Sequence, residues 1–143
     1  MHLPRLRYVH PESLPARLLV SVRTMVAGPV RLFVVVHPGV WDGRPWGVGD
    51  VIVCDTRSPH VGRTVLEPDG RGRPVLGRVD GDLLTGSHGE PCHPKRWRAV
   101  GALVTVLPKA LDVRPEPEPV PPRVGLPAPG PRVAPQLSLF VAG

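Results

Sequence analysis

A small, mainly β domain of coiled antiparallel sheet, with one short N-terminal helix and a disordered proline-rich tail, is what this sequence predicts. Three observations carry that expectation. Between Trp46 and Pro108 the apolar residues come in short runs of strand length, separated by glycine- and aspartate-bearing turns. The chain has only three Trp, two Phe and one Tyr, so its core must be built from Val, Leu and Ile, and abundant Val favours sheet. Ten of the last 36 residues, from Pro108 to Gly143, are proline.

That last stretch carries three acidic and four basic side chains and few large apolar groups before Leu137. Such a segment cannot repay the entropy of ordering itself and reads as an extended arm. The expected organisation is a lead-in over 1–29, a β domain over 30–107, a disordered linker over 108–135 and a short peptide over 136–140.

In the lead-in, residues 1–12 show no period. From Ser13 onward, Leu14, Leu18, Leu19, Val22, Met25 and Val26 fall on one helical face, which predicts an amphipathic helix over 14–26. Ser13 is placed to cap its start and Gly28-Pro29 to stop its end. The β-branched Val20 and Val22 make a strand over Leu18–Val22 the competing reading.

Arg31–Val36 (RLFVVV) alternates little, as a strand buried on both faces does, and ends in a turn at His37-Pro38-Gly39. Residues 40–47 read as an irregular connection whose Trp41 and Trp46 cover one end of the core or form an exposed aromatic contact. Asp50–Cys54 is the next strand. Gly62–Leu66 pairs with Pro74–Val79 through a turn at Asp69-Gly70, and Asp80-Gly81-Asp82 turns the chain into Leu83–Thr85. Gly86–Pro94 reads as a loop, and Arg98–Leu107 as one long closing strand.

The formal charge is +6, and residues 1–107 hold 14 Lys or Arg against nine Asp or Glu. Sixteen of the 18 basic residues are Arg, a balance compatible with nucleic-acid contact and equally with a GC-rich coding sequence. No apolar run approaches membrane-spanning length and the opening MHLPRLRYVHP is too broken to be a leader, so no membrane partner is expected. Two cysteines, Cys54 and Cys92, make no disulfide framework, and a reduced, cytoplasmic setting fits.

Candidate chemistry is sparse. His88, Cys92 and His93 with Cys54 have zinc-ligand side chains, but there is no Cys-x-x-Cys pair and two prolines stiffen the loop. Asp80 and Asp82 flank a turn glycine, while Glu116 and Glu118 lie in the arm, where no cleft can raise a pKa. The serines include Ser58 and Ser87 in loops, and the lysines are only Lys95 and Lys109. There is no phosphate-cradling glycine motif, and no cofactor and no metal are expected.

Gly49-Asp50 running into VIVCD, PVLGRV followed by Gly81-Asp82, and the closing AVGALVTVL together resemble the catalytic domain of the LexA/UmuD-like serine peptidases, related at longer range to signal peptidases, over roughly residues 30–107. The resemblance implies a Ser–Lys dyad. Its serine position falls near Gly39 and Val40, and its lysine position falls at Arg78. An arginine stays protonated and cannot act as a general base, so neither half of the dyad is supplied. The resemblance thus implies a pseudo-peptidase that keeps the β scaffold, and with it a surface for homodimerisation.

The arm carries a second resemblance. Gln136, Leu137, Ser138, Leu139 and Phe140 match the bacterial sliding-clamp-binding peptide Gln-Leu-x-Leu-Phe at every specified position. Glutamine supplies an amide for paired hydrogen bonds, and the three apolar side chains form the arm's tight hydrophobic cluster. The expected function is a non-catalytic accessory of DNA replication, repair or translesion synthesis. Its expected partners are the clamp, with a translesion polymerase or a second copy of itself, and DNA only indirectly or weakly. The alternatives are an active self-cleaving or signal-peptidase-type serine protease, and a small basic DNA-binding module.

Overall fold

The computed structural model describes residues 2–57 and 62–117. The expected class is observed: antiparallel sheets with one short helix near the N-terminus. The inner sheet has the order β1 (Arg5–Val9), β2 (Val30–His37), β5 (Val51–Asp55), β11 (Ala102–Leu107). The outer sheet has the order β10 (Trp97–Ala99), β6 (Gly62–Pro68), β7 (Val75–Asp80), β8 (Leu83–Thr85), β9 (Pro91–Cys92). A small hairpin, β3 (Gly39–Trp41) with β4 (Arg44–Trp46), stands apart from both.

β2 and β5 run through the middle of the molecule. Phe33, Val35, Ile52 and Cys54 point to one face and meet Val65 and Leu76 of the outer sheet. Leu32, Val34, Val36, Val51 and Val53 point to the other and meet Val22 and Val26 of the helical segment. Because both faces are apolar, the strands read as continuous hydrophobic runs, as expected for RLFVVV and VIVCD. The predicted pairing of Gly62–Leu66 is also present, with Gly62 opposite Val79 and Leu66 opposite Val75.

The helix α1 spans Ala16–Met25, inside the predicted 14–26. Ser13 does not cap it. Ser13 belongs to a 3-10 turn over Pro11–Ser13, and Pro15 takes the cap position, where its carbonyl accepts from the Leu18 and Leu19 amides. Met25, assigned to the apolar face, is 43% exposed.

Four further expectations are corrected. Residues 1–12 do contain a strand: β1 pairs along β2 with Tyr8 opposite Phe33 and Val9 opposite Leu32. His37-Pro38-Gly39 is not a simple turn, since β2 runs through His37 and β3 starts at Gly39. Residues 40–47 form the β3–β4 hairpin, turned at Asp42-Gly43, where both residues have positive φ. The closing strand is two strands in two sheets. Val100 donates its amide to Val65 O at 2.9 Å, and the chain then passes to the inner sheet at Gly101. Gly101 has φ 152, and a Cβ there would lie 2.1 Å from the Asp55 carbonyl oxygen, so this crossing requires glycine. The buried Thr64 hydroxyl donates to the Gly101 carbonyl at 2.5 Å and fixes the crossing.

The chain beyond Pro108 also stays on the domain as far as it is described. Lys109 N–H donates to Asp50 Oδ1 at 2.9 Å, Leu111 N–H to the Gly49 carbonyl at 3.1 Å, and Glu116 N–H to the Val36 carbonyl at 2.7 Å. Ala110, Leu111 and Val113 pack on the helix-side core. An extended arm starting at Pro108 was the expectation. Instead, the segment satisfies backbone donors on the carbonyls of Val36 in β2 and Gly49 just before β5 and on one buried carboxylate, which proline-rich composition does not preclude.

Candidate functional site

The hairpin, the end of β2 and the first residues of the chain meet at one end of the domain. Trp41 and Trp46 close the core there, 6% and 1% exposed, so their role is the lid rather than an exposed contact. Trp46 Nε1 donates to the Trp41 carbonyl and Trp41 Nε1 to the Ser87 carbonyl, both at 3.1 Å. Arg44 stacks over Trp46 at 4.3 Å from the ring centroid. Each indole therefore buries its ring without stranding its N–H.

Gly39 and Val40 lie on this hairpin, against the N-terminal segment. Val40 N–H donates to the His2 carbonyl at 2.9 Å, and a Cβ on Gly39 would fall 2.3 Å from Pro4 N. Arg78, on β7, reaches the hairpin tip instead, where it pairs with Asp42 and lies over the Trp41 ring at 5.8 Å. The three positions matched to the peptidase dyad thus sit on adjoining elements, but they offer a backbone contact, an apolar side chain and a paired guanidinium. Ser87 Oγ donates to the Leu76 carbonyl at 2.5 Å and Ser21 Oγ to the Arg17 carbonyl at 3.0 Å, so both hydroxyls hold backbone. Ser58 lies outside the described residues.

Asp50, quoted above in the Gly49-Asp50 motif, is 6% exposed and works as a staple. One carboxylate oxygen accepts from Gly47 N–H and the other from Lys109 N–H, each at 2.9 Å. Cys54 is enclosed between the sheets, and burial pushes its thiol up to about 12. Cys92 is half-buried on β9, and His93 Nδ1 accepts from Lys95 N–H at 3.1 Å. The four metal-type side chains considered above are thereby divided between the core and an outer-sheet edge.

The feature the sequence did not announce is a cavity of about 420 Å³ beside the hairpin. His2, His37 and His88 line it together with Arg5 and Arg73. His37 is buried, with Nδ1 2.9 Å from the Pro38 carbonyl, and the His2 ring meets it edge-on at 6.0 Å. A shallower groove continues past His2 and His37 to Gly39, Val40 and Pro45. At the cavity's cationic side, Glu116 is held by Arg5, Nη1 to Oε2 at 3.5 Å, and by a short contact from Arg73 to its other oxygen. The Arg73 hydrogen bond is the chief cause that lowers the Glu116 pKa; desolvation opposes it, and the charges of Arg73 and Arg5 add to the lowering. No periodic signal could have found this group, because its members come from positions 2, 5, 37, 73, 88 and 116. Gln136, Leu137, Ser138, Leu139 and Phe140 lie outside the described residues.

Comparison with family models, with curated proteins and with solved structures finds no match for this chain. No helix among the described residues is long and apolar enough to cross a membrane.

Proposed function

We propose that this chain is a non-catalytic accessory of bacterial DNA replication, repair or translesion synthesis, acting in the cytoplasm within the DNA-damage response. Its C-terminal Gln136–Phe140 is the ligand of the sliding clamp, and its β body, related to the LexA/UmuD-like peptidases in pattern but not in chemistry, is a scaffold for protein contacts. The observation that carries this reading is the pentapeptide QLSLF, which supplies every specified position of the clamp-binding motif. Two features support it. The dyad positions Gly39, Val40 and Arg78 present no nucleophile and no base. The last described anchor to the body is Glu116. From there, 20 residues lead to Gln136, enough to span at most about 70 Å. Such a tether brings a peptide to a partner without the body having to touch it.

Burying Leu137, Leu139 and Phe140 is worth roughly 1.5–3 kcal/mol each before ordering costs, and those costs leave a lone peptide at about micromolar strength. The test is calorimetric titration of the cognate clamp with a peptide covering residues 130–143, wild type against the Leu139→Ala/Phe140→Ala form. Micromolar binding by the first and none by the second is expected. No heat at about 100 μM peptide, or equal binding by both, would remove the reading.

A further inference from the structure

The histidine-lined cavity lies outside the clamp-binding reading and makes a different offer. Among the described residues its polar lining consists of two guanidiniums and three imidazoles, with no acidic side chain. The acid that does meet those arginines is Glu116, which arrives from the far end of the described chain and gives one carboxylate oxygen to each. A carboxylate clasped by two guanidiniums from different elements is the geometry in which proteins hold oxyanions. The backbone beside it is held by Glu116 N–H on the Val36 carbonyl at 2.7 Å.

We propose that this cavity is a phosphate-binding site, and that Glu116 is its built-in competitor. A carboxylate has two oxygens, and Arg5 and Arg73 take both. A phosphate group has more oxygens and a larger charge, so it engages the same two guanidiniums and reaches the imidazoles of His2 and His88 as well. The cavity's size, about 420 Å³, suits a phosphate carried on a small molecule or at the end of a strand. Phosphate entry and the Glu116 contact exclude one another, so the ligand releases the Glu116 carboxylate and loosens the end of the segment that its side chain helps to hold. Both arginine side chains are partly exposed, 36% for Arg5 and 54% for Arg73. The site is consequently weak and salt-sensitive while Glu116 competes.

The experiment uses the full chain, titrated at low salt with inorganic pyrophosphate and, separately, with a short single-stranded oligonucleotide. Glu116→Gln should tighten pyrophosphate binding about tenfold, because it removes an intramolecular competitor at high effective concentration. Arg73→Gln placed in the Glu116→Gln background should cancel that gain, and Arg5→Gln should do likewise. Amide exchange supplies a second readout: pyrophosphate should speed exchange at Glu116 in wild type and leave the Phe33 amide protected. A thermal melt of each variant separates loss of binding from loss of fold. Much tighter, steeply salt-dependent binding of the oligonucleotide identifies nucleic-acid phosphates as the source, and comparable binding of pyrophosphate identifies a free phosphorylated ligand. If Glu116→Gln does not tighten either probe, or folded Arg73→Gln and Arg5→Gln chains bind as wild type does, the proposal is overturned.

Discussion

β2 and β5 of the inner sheet are buried along almost their whole length, whereas β6 and β7 of the outer sheet bury only short central stretches and expose Arg63, Arg78 and Asp80 between and beside them. The inner strands are held by apolar contact: Leu32, Phe33, Val34, Val35 and Val36 are each 0% exposed. The outer sheet adds charge at its margins, with Glu67 taking Arg31 and Arg98, and Arg78 taking Asp42. Apolar burial is short-ranged and cannot be rearranged without leaving voids. Exposed ion pairs are weak and exchangeable. The inner sheet therefore carries the larger share of the stability, and the exposed margins and loops of the outer sheet are free to carry recognition.

Replacing Phe33 tests that division most severely. Phe33→Ala should cost about 3–5 kcal/mol, since the void lies between two sheets that cannot collapse around it. Leu84→Ala, in the smaller outer cluster with Leu66 and Val79, should cost about 2 kcal/mol, at the low end for its type. Denaturant melts of the two variants give the comparison directly. Equal losses would mean that the sheets share the load.

The cysteines report the same contrast without mutation, one in each sheet. With the Cys54 pKa raised to about 12 by burial, almost no thiolate exists near pH 8, and a reagent also needs the sheets to part. Cys92 is raised too, by burial and then by Glu90, but it stands half-buried on a short edge strand. A disulfide reagent at pH 8 should modify Cys92 at least about a hundredfold faster than Cys54, and both at similar rates in denaturant. The linkage has a definite sign. A thiol whose folded pKa is raised loses stability as pH climbs from the unfolded thiol range towards 12, so alkali should weaken the inner core. Fast modification of two thiols in the native chain would contradict the burial of Cys54.

These contrasts also explain what the sequence could reveal. β2 and β5 were legible because both faces are apolar and the runs are unbroken, and the β6–β7–β8 meander because Asp69-Gly70 and Asp80-Gly81 mark its turns. β1 was not, because an edge strand with Arg5, Arg7 and Tyr8 buries only Leu6 and Val9, and a spacing of three lacks the alternation that marks a strand. The split of the closing strand left one trace, Gly101, inside a run apolar on both sides of it. The docking of residues 109–116 was not legible either, because its polar anchors are largely backbone amides, which every residue but proline possesses, and its few apolar side chains carry no period. The cavity's histidines and arginines meet only through the fold.

The smallest expected effect is the one that separates charge from packing most cleanly. Arg98 is 74% exposed and pairs with Glu67 at 2.9 Å, on an oxygen distinct from the one that takes Arg31 of the inner sheet. Removing Arg98 leaves Glu67 with a partner, so no carboxylate is stranded. Arg98→Ala should therefore cost about 0.2–1 kcal/mol at low ionic strength and less in 0.5 M salt, where the Debye length is about 4 Å. Arg31 differs: it is 32% exposed, stacks over Tyr8 at 4.6 Å and ties β2 to Glu67 of β6. Arg31→Ala removes packing with the charge, and its cost should persist in salt. Melting both variants across a salt series distinguishes the two cases. A cost at Arg98 that salt does not reduce would show that packing reaches the outer margin, and the contrast between the two sheets would then be one of degree.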